Sequence, residues 1–267
     1  MSLVRVGGVE LDCERSGSGP PLFMIMGMGG TMLTWGEPFL DALRRDFELI
    51  VYDHRGVGAS TRLDGPITIG ELARDAVGLL DALRIDSTHV LGISMGGMIA
   101  QELVLARPEL VRTLALGCTY CGGPGSTPMP ADAAARLAEA RSSGDRRRAV
   151  RTSWEINVSP AYASEDQAWE RYLEISRRRP VALEVITRQR EATAGHDTCE
   201  RLGEIDVSTL VVHGSLDRVL PVANGLMVAR LIPGARLEVF EGVGHLFFWE
   251  RPERSAELVR ANAAVHA

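Results

Sequence analysis

A serine hydroxyl becomes a useful nucleophile when a base takes its proton, a third group orients the base, and backbone donors face the charge that develops. Gly92-Ile93-Ser94-Met95-Gly96 offers such a serine. Residues 90–93 form an apolar run that reads as a buried strand, and Met95, Met98, Ile99, Leu103 and Leu105 follow with helical spacing. A serine on so sharp a strand-to-helix turn sits in a strained backbone conformation, and glycines at 92 and 96 remove side chains that would collide with it. The hydroxyl then stands clear of the sheet, and the helix N-terminus points N–H groups at the developing charge. In a chain with 28 glycines the bare pattern is weak; its strand–turn–helix setting makes it specific.

Six histidines compete to be the base. His266 lies in the tail, His89 opens the elbow strand at the end away from Ser94, and His54 precedes an arginine-glycine turn that reads as structural. His213 and His196 are both placed where they could face a pocket. His245 is favoured, because the glycine-rich loop Gly242-Val243-Gly244 after the last strand can swing it over the C-terminal edge of the sheet. The orienting acid is expected on a strand end between Ser94 and His245. Asp217 fits; the rival position after residue 116 offers residues 117–125, which contain no carboxylate, and Asp206 precedes its strand. The backbone N–H of Met95 and that of Met28, in Gly27-Met28-Gly29, are the expected oxyanion donors. Gly27, Trp154, His196 and Leu246 are the candidate substrate contacts. Arg188 and Arg190 read first as solvated helix charges, with a substrate carboxylate as their other reading.

The elements that must hold these groups alternate. A hairpin over 4–13 is followed by strands at 22–26, 48–52, 90–93, 111–116, 209–213 and 236–240. Helices are expected at 35–45, 69–84, after Ser94, at 221–232 and from Pro252 to about 264. Strand–helix alternation predicts a mostly parallel twisted sheet flanked by helices, an α/β fold. Residues 131–198 lack any strand-like run and read as helical. The expected organisation is therefore a core of 1–121 and 199–267, with a helical lid of 122–198 inserted before the last two strands.

The 267 residues suffice for a sizeable core, and 45% hydrophobic with 24% charged residues is ordinary for a globular protein. A net charge of −6 argues against nucleic acid as the main partner. All 29 basic residues are arginine, which reads as codon bias. Cys13, Cys118, Cys121 and Cys199 are too few and scattered for a disulfide framework, and Cys118-Thr119-Tyr120-Cys121 has no second pair to complete a zinc site. No apolar run reaches the roughly 18 residues of a membrane span, and no apolar leader is visible at the N-terminus. The expectation is a cytoplasmic enzyme acting on a small molecule, without metal or cofactor and insensitive to chelators; a homodimer is left open.

Four landmarks in order carry a resemblance: Met26-Gly27-Met28-Gly29-Gly30, Tyr52-Asp53-His54-Arg55-Gly56-Val57-Gly58-Ala59-Ser60, Gly92-Ile93-Ser94-Met95-Gly96-Gly97, and Asp217 with His245. Over nearly its whole length the chain resembles the α/β-hydrolase superfamily, and is similar to small serine esterases and lactonases such as 3-oxoadipate enol-lactonases and polyketide methylesterases. The resemblance implies Ser94 as nucleophile, Asp217 and His245 as its partners, and Met28 and Met95 as oxyanion donors. It departs from the family where many relatives carry His-Gly in place of Met26-Gly27; that histidine usually supports the loop. Serine at 94 argues against the dehalogenases and epoxide hydrolases that use aspartate there. The implied activity is cleavage of an ester or lactone of a small, largely apolar substrate through an acyl-serine. The alternatives are a C–C bond hydrolase, disfavoured by Leu246 where those enzymes usually carry tryptophan, a cofactor-free perhydrolase, and a non-catalytic ligand-binding relative.

Overall fold

The computed structural model describes residues 2–266. Among these residues eight strands form one sheet: β1 (Ser2–Val6), β2 (Val9–Gly17), β3 (Pro21–Ile25), β4 (Glu48–Tyr52), β5 (Thr88–Ile93), β6 (Val111–Gly117), β7 (Ser208–Gly214) and β8 (Arg236–Phe240). Their order is β1-β2-β4-β3-β5-β6-β7-β8, with β1 and β2 antiparallel and β3 to β8 parallel. The central parallel strands β3, β4 and β5 are apolar on both faces, as burial between two helical layers requires. Alternation assigns Leu22, Met24, Leu49, Val51, Leu91 and Ile93 to one layer and Phe23, Ile25, Ile50, Tyr52 and Val90 to the other.

Helices α1 (Glu37–Arg44), α2 (Ile69–Ala82) and α3 (Met95–Ala106) follow β3, β4 and β5. A capping box starts α2: Thr68 Oγ1 accepts from the Glu71 N–H at 3.2 Å, and Glu71 reaches back to the Thr68 N–H at 2.8 Å. Phe39, Leu40 and Leu43 of α1 join the first layer; Leu72, Ala76, Leu79 and Leu80 of α2 join the second with Ile99 and Leu103 of α3.

Between β6 and β7 the chain leaves the sheet for five helices, α4 (Ala131–Ser142), α5 (Arg146–Asn157), α6 (Pro160–Ala163), α7 (Asp166–Arg178) and α8 (Leu183–Ala194). After β7 come α9 (Ala223–Leu231), β8, the short α10 (Phe247–Glu250) and α11 (Pro252–Ala263), which packs on α1. The helical insertion is docked by an aromatic cluster: Trp154 lies 5.0 Å from Tyr172, 5.6 Å from Tyr162 and 5.6 Å from Trp249. It is also latched by charge, because Arg179, just past α7, pairs with Asp12 at 2.8 Å and with Asp53.

The cysteines depart from expectation. Cys121 and Cys199, 78 residues apart, are disulfide-bonded with Cα atoms 5.0 Å apart, while Cys13 and Cys118 are free and buried. The insertion returns to its starting point: Gly122 bridges Asp197, and the Thr198 N–H donates to the Cys121 carbonyl at 2.8 Å. The bond therefore staples the two ends of the insertion, a juxtaposition that spacing alone does not reveal. Such bonds are uncommon in a reducing compartment. Among the described residues no helix is long and apolar enough to cross a membrane.

Candidate active site

Ser94 joins β5 to α3 with φ 56° and ψ −123°, a conformation L-residues rarely adopt. The neighbours explain how it persists. A Cβ on Gly92 would run into the Gly96 carbonyl, and one on Gly96 into the Ile25 carbonyl, so the turn closes only with glycine at both positions. The N–H groups of Ser94, Gly97 and Met98 are committed, to the carbonyls of Gly117 and Ser94. That of Met95, in the first turn of α3, has no carbonyl to meet within the helix.

Ser94, Asp217 and His245 all leave C-terminal ends of strands, β5, β7 and β8, and so share one edge of the sheet. His245 Nδ1–H donates to Asp217 Oδ2 at 2.6 Å. The other carboxylate oxygen accepts the N–H groups of Val219 at 2.7 Å and Leu220 at 2.9 Å. His213 Nε2 donates to the Leu220 carbonyl at 2.7 Å and lies 3.2 Å from Asp217 Oδ2. Burial alone would raise the Asp217 carboxyl; the charge of His245 and hydrogen bonds from His213 and His245 outweigh it and hold the group well below the ordinary carboxylate range. His213 is thus behind Asp217 and away from the cavity. With Nδ1 occupied, Nε2 is the nitrogen His245 can offer Ser94, and the two side chains line one cavity of about 110 Å3.

The strand-end position that lacks a carboxylate is occupied by Cys118, itself at φ 43°. Its thiol, the Asp217 carboxylate and the His245 ring gather within 4.8 Å. Burial pushes that thiol well above its ordinary value, with the Asp217 charge adding to the effect, so it persists as a thiol and not as a thiolate that could attack or ligate.

The loop after β3 explains the second landmark. His54 Nε2–H donates to the Met26 carbonyl at 2.9 Å, a support for the loop supplied by a histidine from the next strand end. Asp53 accepts the Met32 N–H at 2.6 Å, Arg55 grips Asp75 through two hydrogen bonds, and Gly29 N–H donates to Gln189 Oε1 of α8 at 2.8 Å. Gly27 and Met28 are held beside Ser94 in the wall of the same cavity, with Leu246 next to His245.

Two candidate contacts lie elsewhere. Trp154 is fully buried in the aromatic cluster, so it docks the insertion and does not wall the cavity. His196 is buried behind α3, with Nε2 3.4 Å from Gln101 Oε1 and 3.3 Å from the Thr198 hydroxyl. Both were placed from position along the chain, which does not fix the direction of a side chain in a helical insertion. Burial lowers the His196 pKa to about 4, against the pull of Glu102 and Asp197 and with Arg201 adding to the fall. The unfolded chain, titrating near 6.5, then binds this proton more readily than the folded one. The stability from neutral His196 is complete above pH 6.5 and is lost as pH falls toward 4. Between pH 6.5 and 5 the wild type should lose about 1–2 kcal/mol more than His196→Gln, read by urea unfolding at both pH values. Equal losses would remove His196 as the cause.

Three residues were missed. Glu250, buried in α10, accepts the N–H groups of Gly244 and Ser159, each at 2.8 Å, and so ties the His245 loop to the end of α5. Asn157, whose carbonyl accepts the Leu246 N–H at 2.8 Å, also lines the cavity. Arg141 of α4 lines it too, and a second cavity of about 590 Å3 that reaches Ser94 past Met28, Met95 and Met98. Met24, Phe247 and Phe248, close in sequence to these motifs, are core residues. Glu250 stands next to an aromatic run, Asn157 near a helix end and Arg141 in an alanine-rich helix, so local pattern marks none of them.

The chain is 32% identical over 263 residues to a protein of Azorhizobium caulinodans named "Putative carbamate hydrolase RutD", covering 97% of each. It is 29% identical to the 2-hydroxy-6-oxo-6-phenylhexa-2,4-dienoate hydrolase of Comamonas testosteroni, covering 90% of this chain and 86% of that one. Among solved structures it is similar to the enol-lactonase of Burkholderia xenovorans LB400, with a TM-score of 0.86, 25% identity, and coverage of 98% of this chain and 100% of that one. Residues 20–252 match the model of a family described by the alpha/beta hydrolase fold. With the sheet order, the strained serine between β5 and α3 and this match together, the chain belongs to the α/β-hydrolase family.

Proposed function

We propose that this α/β-hydrolase cleaves a carboxylic ester or lactone of a small, largely apolar substrate through an acyl-serine. The observation that carries the reading is the 2.6 Å hydrogen bond from His245 to a buried Asp217, beside a strained Ser94 on the same cavity. His245 Nε2 takes the Ser94 proton as Oγ attacks the carbonyl, and Asp217 holds the tautomer and stabilises the imidazolium. The N–H groups of Met28 and Met95 stabilise the oxyanion. The imidazolium then protonates the leaving alcohol. Water, deprotonated by His245, attacks the acyl carbonyl, and collapse of the second tetrahedral intermediate returns the proton to Ser94 and releases the acid.

Gly27 and Leu246 line the reacting end of the substrate, and the methionines of the larger cavity suit an apolar chain. Residues 122–198 act as the lid over residues 1–121 and 199–267. The relatives' names span carbamate, C–C and enol-lactone substrates, which a shared fold permits, so chemistry must decide. A fluorophosphonate probe should label the protein stoichiometrically at Ser94, mapped by mass spectrometry, and abolish turnover of short 4-nitrophenyl esters and simple lactones. Absence of label, or turnover of a vinylogous diketone with no ester accepted, would replace this reading.

A further inference from the structure

We propose that Arg141 recognises a carboxylate on the substrate, so that the esters or lactones turned over carry a free acid group; this rests on the hydrolase reading above. Arg141 sits in the last turn of α4 and lines both cavities that reach Ser94, together with a third of about 450 Å3 beside Arg179. Among the described residues it has no hydrogen-bond or ion-pair partner. Five other arginines of the insertion are paired with acids: Arg136 and Arg151 with Glu155, Arg148 with Glu139, Arg188 with Glu184, and Arg179 with Asp12 and Asp53.

The surroundings sharpen the point. Among the described residues, no acidic side chain lines either cavity that reaches Ser94. Asp145, the acid in the third, is used to cap α5 through the Arg148 N–H. The other cation in the larger cavity is Arg190, so the wall presents two positive charges and no negative one. Burial and the like charge of Arg190 lower the Arg141 pKa, and a guanidinium nevertheless stays protonated. A half-buried cation with no counterion bears an uncompensated desolvation cost. A carboxylate offsets it, and the planar fork accepts that group through two parallel hydrogen bonds. Because Arg141 shares the small cavity with Ser94 and His245, the acid group and the scissile carbonyl sit on one short spacer.

Mono(4-nitrophenyl) glutarate and 4-nitrophenyl pentanoate share a leaving group and chain length and differ by a terminal carboxylate against methyl. After subtraction of the uncatalysed rate, the wild type should favour the glutarate in kcat/KM by about 10- to 100-fold, the range of a charge-assisted hydrogen bond. That preference should collapse toward unity in Arg141→Gln and be partly kept in Arg141→Lys. Calorimetric binding of glutarate to wild type and Arg141→Gln supplies a readout that needs no turnover. Glutarate binding that depends on Arg141, with neither ester turned over, would sustain the anion site and sink the hydrolase reading. Turnover without preference, with glutarate binding absent or indifferent to Arg141→Gln, would overturn the anion site and leave the hydrolase reading standing.

Discussion

Replacing Ser94 by alanine is expected to lower kcat on any ester or lactone the protein turns over by about 10^6-fold, with KM nearly unchanged. The size follows from what else the site holds. Once Oγ is gone, the Cys118 thiol gathered with Asp217 and His245 cannot take its place, because it is fully buried and kept protonated by that burial. The residual rate should be that of water held beside Met28 and Met95, about 10^3-fold above the uncatalysed reaction. The variant is expected to fold, because alanine keeps the Cβ that the turn already accommodates at φ 56° and removes only the hydroxyl. Burst kinetics and thermal unfolding on the same preparation check both halves. A well-folded variant retaining a tenth of the wild-type rate would exclude Ser94 as the nucleophile.

Asp217→Asn is expected to cost about 10^4-fold in kcat, a loss of the size seen when a base is held in the wrong tautomer. The hydrogen bonds around the carboxylate give the reason. One oxygen accepts two backbone N–H groups, from Val219 and Leu220, and those donors cannot rotate. The amide of asparagine must turn its oxygen toward them, which leaves its NH2 facing His245 Nδ1. The ring can accept that bond only by moving its proton to Nε2, the nitrogen that must be free to take the proton from Ser94. Fluorophosphonate labelling should slow in parallel, because it needs the same base. A fall below tenfold, with the fold intact by circular dichroism, would mean that His245 is oriented by something other than Asp217.

The sequence by itself determined the core with near-complete fidelity, and the reason is local. Strands in the middle of a parallel sheet must be apolar on both faces, so residues 22–26, 48–52 and 90–93 stand out from the amphipathic helices between them. The elbow was legible because Gly92 and Gly96 answer a backbone demand confined to five residues. Asp217 was legible by elimination, since residues 117–125 contain no carboxylate.

What the tertiary structure decided was every relation that crosses the insertion. Cys121 and Cys199 meet because residues 122–198 loop back to their origin. Trp154 faces Trp249 and not the cavity, and His196 lies behind α3, because a helical segment carries no mark of which neighbour its faces will meet. The latch of Arg179 on Asp53 joins residues 126 positions apart. Arg141 is indistinguishable in sequence from the other arginines around it; only three-dimensional packing set it on the wall of both cavities that reach Ser94, with Arg190 beside it in the larger one and no acid in either. Hydrophobic periodicity records which face of a segment is buried; it does not record against what, and in this protein the wall of the cavity is written in that second relation.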